Sequence, residues 1–229
     1  MSRALVWLFD LDNTLHDAGH AIFPAINRNM NALIARVLES ESKPAHSDAV
    51  NEVRIAYWKR YGATLLGMMR HHAIRSDDFL RDAHQFGDLS QMIRAERGAT
   101  HLLRRLPGRK ILLTNAPAAY SRDVMRHLGL HKHFADHVPI ESMVVHRQLR
   151  PKPSRWMLRR LLASRGLSPR RCVLVEDSLE NLQSARSLGM RTVWLTGYTP
   201  GIRRRPACVD VKVKSLSQLA RQRRKLGIA

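Results

Sequence analysis

Apolar positions along this chain follow two regimes that meet near residue 16. Residues 4–9 (Ala-Leu-Val-Trp-Leu-Phe) are a continuous apolar run that stops abruptly at charge, the pattern of a strand buried on both faces. From about residue 19 to about residue 97 the pattern is helical. Ile22, Ile26, Met30, Leu33, Ile34 and Val37 recur at the spacing of one helix face. Residues 41–47 predict a turn with Ser47 as the N-cap of a helix over 50–61, and Gly62 breaks that helix before 64–72 resume it. A short further element starts at Asp77 and ends near Gly87.

From Gly98 onward short apolar runs alternate with helical segments. Strands are expected at 110–115, 136–140, 172–175, 192–195 and 209–213. Helices are expected at 121–128, 156–165 and 179–188, closed by Gly129, Gly166 and Gly189, with a last basic helix at 216–226. Strand–helix alternation with near-continuous apolar strands implies a parallel sheet covered on both faces. The expected fold class is therefore α/β. Residues 1–15 plus 99–229 make the parallel-sheet core, and 16–98 are an inserted all-helical cap.

Composition narrows the function classes. A chain of 229 residues with 44% apolar content can bury a substantial core. No apolar stretch approaches the ~20 residues of a membrane helix, and the short run after Arg3 lacks a cleavage site, so a cytoplasmic protein with no membrane partner is expected. Two cysteines make neither a disulfide framework nor a zinc site, and Cys172 falls inside an apolar strand. The formal net charge is +20, from 39 Lys plus Arg against 19 Asp plus Glu, which concentrates anions around the molecule. The basic residues are scattered, with local runs at 203–205 and 221–225. The charge supports an anionic partner, a phosphorylated metabolite first and nucleic acid second, and leaves oligomeric state open.

The candidate chemistry sits where strands end. Asp10 and Asp12 follow the first strand, and side chains at i and i+2 share a face. Two like charges so placed need a cation or a proton between them. Thr114-Asn115 puts a hydroxyl and an amide after a second strand. Lys152 lies between Pro151 and Pro153, which limit its backbone freedom. Glu176-Asp177-Ser178, with Asn181, ends a further buried strand in an acidic pair.

These four segments, in this order, resemble the motif set of the haloacid-dehalogenase-like (HAD) hydrolase superfamily: Asp10-x-Asp12-x-Thr14, Thr114-Asn115, Lys152, and Glu176-Asp177-Ser178-x-x-Asn181. The resemblance implies a Rossmann-like core and a Mg²⁺-dependent phosphomonoesterase. Asp10 would be the nucleophile that becomes an aspartyl-phosphate, and Asp12 the general acid and base. Mg²⁺ would be held by Asp10, the backbone carbonyl of Asp12 and Asp177, with Glu176 one shell out. Thr114, Asn115 and Lys152 would bind the phosphate, and Ser178 and Asn181 would support the acidic loop. An aspartate at position 12 fits the phosphotransfer branch, since the dehalogenase branch lacks a carboxylate there.

The stretch Tyr57-Trp58-Lys59-Arg60-Tyr61-Gly62-Ala63-Thr64-Leu65-Leu66-Gly67-Met68, the segment Arg81-Asp82-Ala83-His84 and the first motif read as Phe-Asp-Leu-Asp-Asn-Thr-Leu are similar to the pyrimidine 5′-nucleotidase branch. That similarity implies a pyrimidine nucleoside 5′-monophosphate as substrate, with Tyr61, Met68 and His84 near the base or sugar. Phosphoglycolate or a sugar phosphate is the alternative within the enzyme class. A polyanion- or nucleic-acid-binding protein on the same scaffold is the alternative outside it, although no nucleic-acid motif is present.

Overall fold

The computed structural model describes residues 5–96, 98–199, 204–222 and 226. Ala4 of the first expected strand, Arg203 and the basic stretch 223–225 lie outside the described residues. Two compact units emerge. One runs up to Gly19 and resumes at Ile93, and the other is His20–Met92.

The first unit is built on strands β1 (Val6–Phe9), β2 (Arg109–Leu113), β3 (Asp136–Val138), β6 (Cys172–Glu176), β7 (Arg191–Leu195) and β8 (Val211–Val213), in the order β3-β2-β1-β6-β7-β8. Every pairing is parallel. Leu8 lies beside Ile111 on one side and Leu174 on the other. These residues, with Val6, Leu113 and Cys172, share a cluster with Leu158, Leu161 and Leu162 of α8 (Arg155–Ser164) and Leu182 and Ala185 of α9 (Leu179–Ser187). The opposite faces are equally dry: Trp7, Phe9, Val173, Val175 and Val193 have no exposed surface. Burial on both faces is why the strands read as unbroken apolar runs rather than alternating ones.

β1 sits between β2 and β6, so the chain leaves it in opposite directions on its two sides, and a crevice opens at such a reversal of strand order. The remaining helices of this unit are α6 (Ala99–Arg105), α7 (Ala118–His127) and α10 (Leu216–Gln222).

The helical unit contains α1 (Ile22–Ser40), α2 (Ser47–Tyr61), α3 (Thr64–His71), α4 (Ser76–Ala83) and α5 (Leu89–Met92). α1 buries Ile22, Ala25, Leu33, Ile34 and Leu38, while Ile26, Met30 and Val37 are only half-buried at the margin of the stripe. The N-cap of α2 is His46, not Ser47. His46 has an extended backbone and its Nδ1 accepts the Ala49 N–H at 3.4 Å, so Ser47 is already inside the first turn. Gly62 ends α2 as expected, at φ 81.

Two other readings shift. Residues 16–19, 93–96 and 98, assigned to the cap by pattern alone, group with the sheet unit. Asn13 Oδ1 accepts the Ala18 and Gly19 N–H groups, Asp17 N–H donates to Arg94 O at 2.7 Å, and the Glu96 carboxylate accepts from Leu216 N–H and Ser217 Oγ. Sequence patterning also gave no sign of the hairpin formed by β4 (Val144–Val145) and β5 (Gln148–Leu149). Its two-residue turn is His146-Arg147, both at positive φ (50 and 61), without the Asn or Gly that usually marks such a turn.

Gly108, between α6 and β2, is required by geometry. Its φ is 90, and a Cβ there would lie 2.3 Å from the Leu5 carbonyl oxygen. Gly108→Ala should lower stability by about 2 kcal/mol or more, because left-handed strain adds to a backbone clash. Gly129→Ala, at φ 65 with open space around it, should cost only about 1 kcal/mol. Urea midpoints compare the two directly, and equal shifts would remove the clash from the explanation.

Candidate active site

Three parallel strands deliver their carboxyl ends to one place. β1 runs into Asp10, whose N–H donates to Val175 O at 3.0 Å and so continues the sheet by one residue. The chain then coils, with Leu15 N–H donating to Leu11 O at 2.8 Å. This coil carries the Thr14 hydroxyl to 3.2 Å from Asp10 Oδ2 and brings His16 beside Asp12. Asn13 takes the left-handed conformation at φ 58, which Asn tolerates better than most residues, and its side chain holds the following loop.

Lys152 is the electrostatic centre. Its Nζ lies 2.6 Å from Asp10 Oδ1 and 2.8 Å from Glu176 Oε2, and all three residues are buried. Glu176 Oε1 accepts the N–H groups of Asp177 and Ser178, each at 3.2 Å, so both oxygens of this carboxylate are engaged. Asn115 donates to Lys152 O at 3.0 Å and accepts Lys152 N–H at 2.9 Å. Its amide therefore fastens the lysine loop to the end of β2, a different task from the phosphate contact expected of it. Thr114 is buried and its Oγ1 accepts the Ala116 N–H at 3.0 Å, leaving the hydroxyl proton to point elsewhere.

Asp10, Glu176 and Asp177 offer carboxylate oxygens within 4.8 Å of one another. Burial, then the Glu176 charge, push the Asp10 carboxyl up to about 7, while Lys152 pulls it back. Burial with Glu176 and Asp10 pushes Asp177 up to about 9. Burial works against the Lys152 ammonium, but Asp10 and Glu176 outweigh it and hold its proton firmly. One lysine against three carboxylates leaves negative charge uncompensated. A hard oxygen set with surplus charge fits Mg²⁺. Each of the three can turn an oxygen toward a shared ion, and Asp10 and Glu176 are at the same time anchored by Lys152. Ser178 Oγ donates to Glu180 Oε2 at 3.0 Å, and Asn181 is buried in the first turn of α9.

Two residues near Asp12 escaped sequence reasoning. Tyr120 of α7 donates its hydroxyl to Asp12 Oδ1 at 2.6 Å, and His16 Nε2 lies 2.9 Å from the same oxygen. His16 stands four residues after Asp12 and could have been noticed on spacing. Tyr120 is separated by 108 residues and carries no local signal. Burial and the Asp12 charge push the Tyr120 phenol strongly upward, so it stays a donor. Trp194 Nε1 donates to Asp177 O at 2.9 Å and steadies the acidic loop from β7.

The three cap residues expected near a substrate are placed within the helical unit as follows. Tyr61 is half-buried, with its hydroxyl 2.6 Å from His71 Nε2 and the Arg60 and Arg70 guanidinium groups 5.5 and 5.9 Å from its ring centroid. His84 Nδ1 lies 2.9 Å from Leu80 O. Met68 has no exposed surface, the position of a packing residue, as its helical spacing also allows.

The haloacid dehalogenase-like hydrolase family matches residues 6–189, and the chain belongs to it. Its fold is shared with a HAD phosphatase from Thermococcus onnurineus (TM-score 0.63, 17% identity, covering 95% of this chain and 96% of that one). It is shared equally with L-2-haloacid dehalogenase from Xanthobacter autotrophicus (TM-score 0.60, 15% identity, 96% and 98% covered). The magnesium-bound HAD-hydrolase YfnB of Bacillus subtilis also matches (TM-score 0.58, 14% identity, 96% and 98% covered). Among the described residues no helix is long and apolar enough to cross a membrane.

Raised carboxyl values mean that the folded state holds protons that the unfolded chain has released. Without divalent ions, stability contributed by Asp10 and Asp177 is present below about pH 4 and lost as pH rises through about 7 and about 9. Thermal melts in EDTA should therefore fall across this range, with a shallower slope in Asp177→Asn. Mg²⁺ should raise the melting temperature most at the alkaline end. A wild-type slope identical to that of Asp177→Asn would contradict this account of the cluster.

Proposed function

We propose that this hydrolase is a Mg²⁺-dependent phosphomonoesterase that transfers the phosphoryl group of a small metabolite to Asp10 and then to water. The observation that carries the reading is Asp12, held two residues beyond Asp10 by Tyr120 and His16. A halide departs without a proton, whereas the alkoxide of a phosphate ester needs one. A tethered carboxylate beside the nucleophile suits the second task.

Asp10 attacks phosphorus, so its O–P bond forms as the ester P–O bond breaks, and Asp12 gives its proton to the departing alkoxide. Water then attacks the same phosphorus, Asp12 takes back a proton, and Asp10 is released. Lys152 and the Thr114 hydroxyl are assigned to the phosphoryl oxygens, where charge-assisted donors act most strongly. Bound to Asp10, Asp177 and the Asp12 carbonyl, Mg²⁺ would offset the charge of a phosphate dianion among three carboxylates. For the substrate, the run from Tyr57 to Met68 supports a pyrimidine nucleoside 5′-monophosphate, with phosphoglycolate or a sugar phosphate as the alternative.

Phosphate release from a panel of nucleoside monophosphates, sugar phosphates and phosphoglycolate tests the reading, with halide release from 2-haloacids assayed in parallel. Asp10→Asn should lose at least ~10³-fold in kcat while remaining folded. EDTA should stop turnover and Mg²⁺ restore it. Halide release without phosphate release would overturn the proposal.

A further inference from the structure

We infer that Tyr120 and His16 act together as positioning residues for Asp12, clamping Oδ1 so that Oδ2 is the oxygen through which protons pass; this rests on the phosphomonoesterase reading. Both contacts converge on one oxygen: Tyr120 at 2.6 Å and His16 Nε2 at 2.9 Å from Oδ1, with 3.4 Å between the two partners themselves. Oδ2 makes no hydrogen bond among the described residues. The phenol has one proton, and the carboxylate takes it. His16 is fully buried and its Nδ1 has no partner among the described residues. A hydrogen on Nδ1 would be an unpaired buried donor, so the ring hydrogen belongs on Nε2, aimed at Asp12.

The environment argues that this arrangement serves Asp12 rather than merely satisfying Tyr120. A buried tyrosine needs one acceptor, and a backbone carbonyl would do. Here two buried side chains, one on the loop after β1 and one on α7, are committed to a carboxylate that keeps 15% of its side-chain surface exposed and could be solvated by water alone. Fixing one oxygen removes the carboxyl's rotation about its last bond and turns the other oxygen toward a reacting group. In the first half-reaction the Oδ2 proton goes to the ester oxygen as the Asp10–phosphorus bond forms and the ester bond breaks. In the second, a water proton goes to Oδ2 as the water oxygen bonds phosphorus and the Asp10–phosphorus bond breaks. A wandering Oδ2 harms the first half most when the leaving group is basic.

Leaving-group dependence separates this role from general support of the fold. In Tyr120→Phe, kcat/KM for the alkyl monoester that the wild type hydrolyses best should fall about 10- to 100-fold, with p-nitrophenyl phosphate within about 3-fold. A burst of nitrophenolate should appear as water attack slows. His16→Leu should behave alike, and His16→Gln, which keeps an N–H, should recover much of the loss. If His16→Leu does not fold, Tyr120→Phe decides. Equal losses on both esters, or a change below about 2-fold on the alkyl ester, would overturn the clamp while leaving the phosphatase intact. A wild-type protein that releases phosphate from no monoester would overturn both.

Discussion

One lysine holds together a site that would otherwise repel itself. Asp10 and Glu176 arrive on neighbouring parallel strands, and two buried carboxylates side by side need a cation or a proton between them. Lys152 meets both, and its loop is tied to the end of β2 by the Asn115 amide. Removing that ammonium would leave two buried charges facing each other. The central strands, the lysine loop and the acidic loop are thus one electrostatic unit, and Asp177 adds a third carboxylate able to share an ion with the other two.

Two aspartates separated by one residue live in different worlds. Asp10 is buried against a lysine, a hydroxyl and other carboxylates, where burial and like charge raise its affinity for protons. Asp12 is half-buried and meets the phenol and imidazole on one side only. Such a contrast between neighbouring acids is how one site assigns separate duties to the same side chain. The strand periodicity makes them share a face, and the coil after β1 makes their surroundings diverge.

The shared fold explains why family membership and reaction are separate questions. A phosphatase and a dehalogenase both match this backbone at low identity, because a shared sheet fixes where strand ends meet and not which reaction they serve. On the proposed reading it is the chemistry around Asp12 that selects the reaction, and Tyr120 of α7 meets that carboxylate at 2.6 Å.

Much of the core was legible from sequence because parallel strands buried on both faces leave unbroken apolar runs, and each ends at a polar cluster. The order of Asp10, Asp12, Thr114, Lys152 and Glu176-Asp177 along the chain was enough to suggest the family, and all but Lys152 follow an expected strand. Local pattern also located the breaks at Gly62, Gly129, Gly166 and Gly189, since left-handed backbone leaves a residue-level trace. It failed where the trace is missing. His146-Arg147 turns a hairpin without turn residues, and His46 caps a helix in place of the serine beside it. Which oxygen of Asp12 is held, which carboxylate the lysine bridges, and that Asn115 grips a loop 37 residues away were decided only when the chain closed on itself. Those facts depend on distances between strand ends, and strand-end distances are properties of the sheet, not of any segment that enters it.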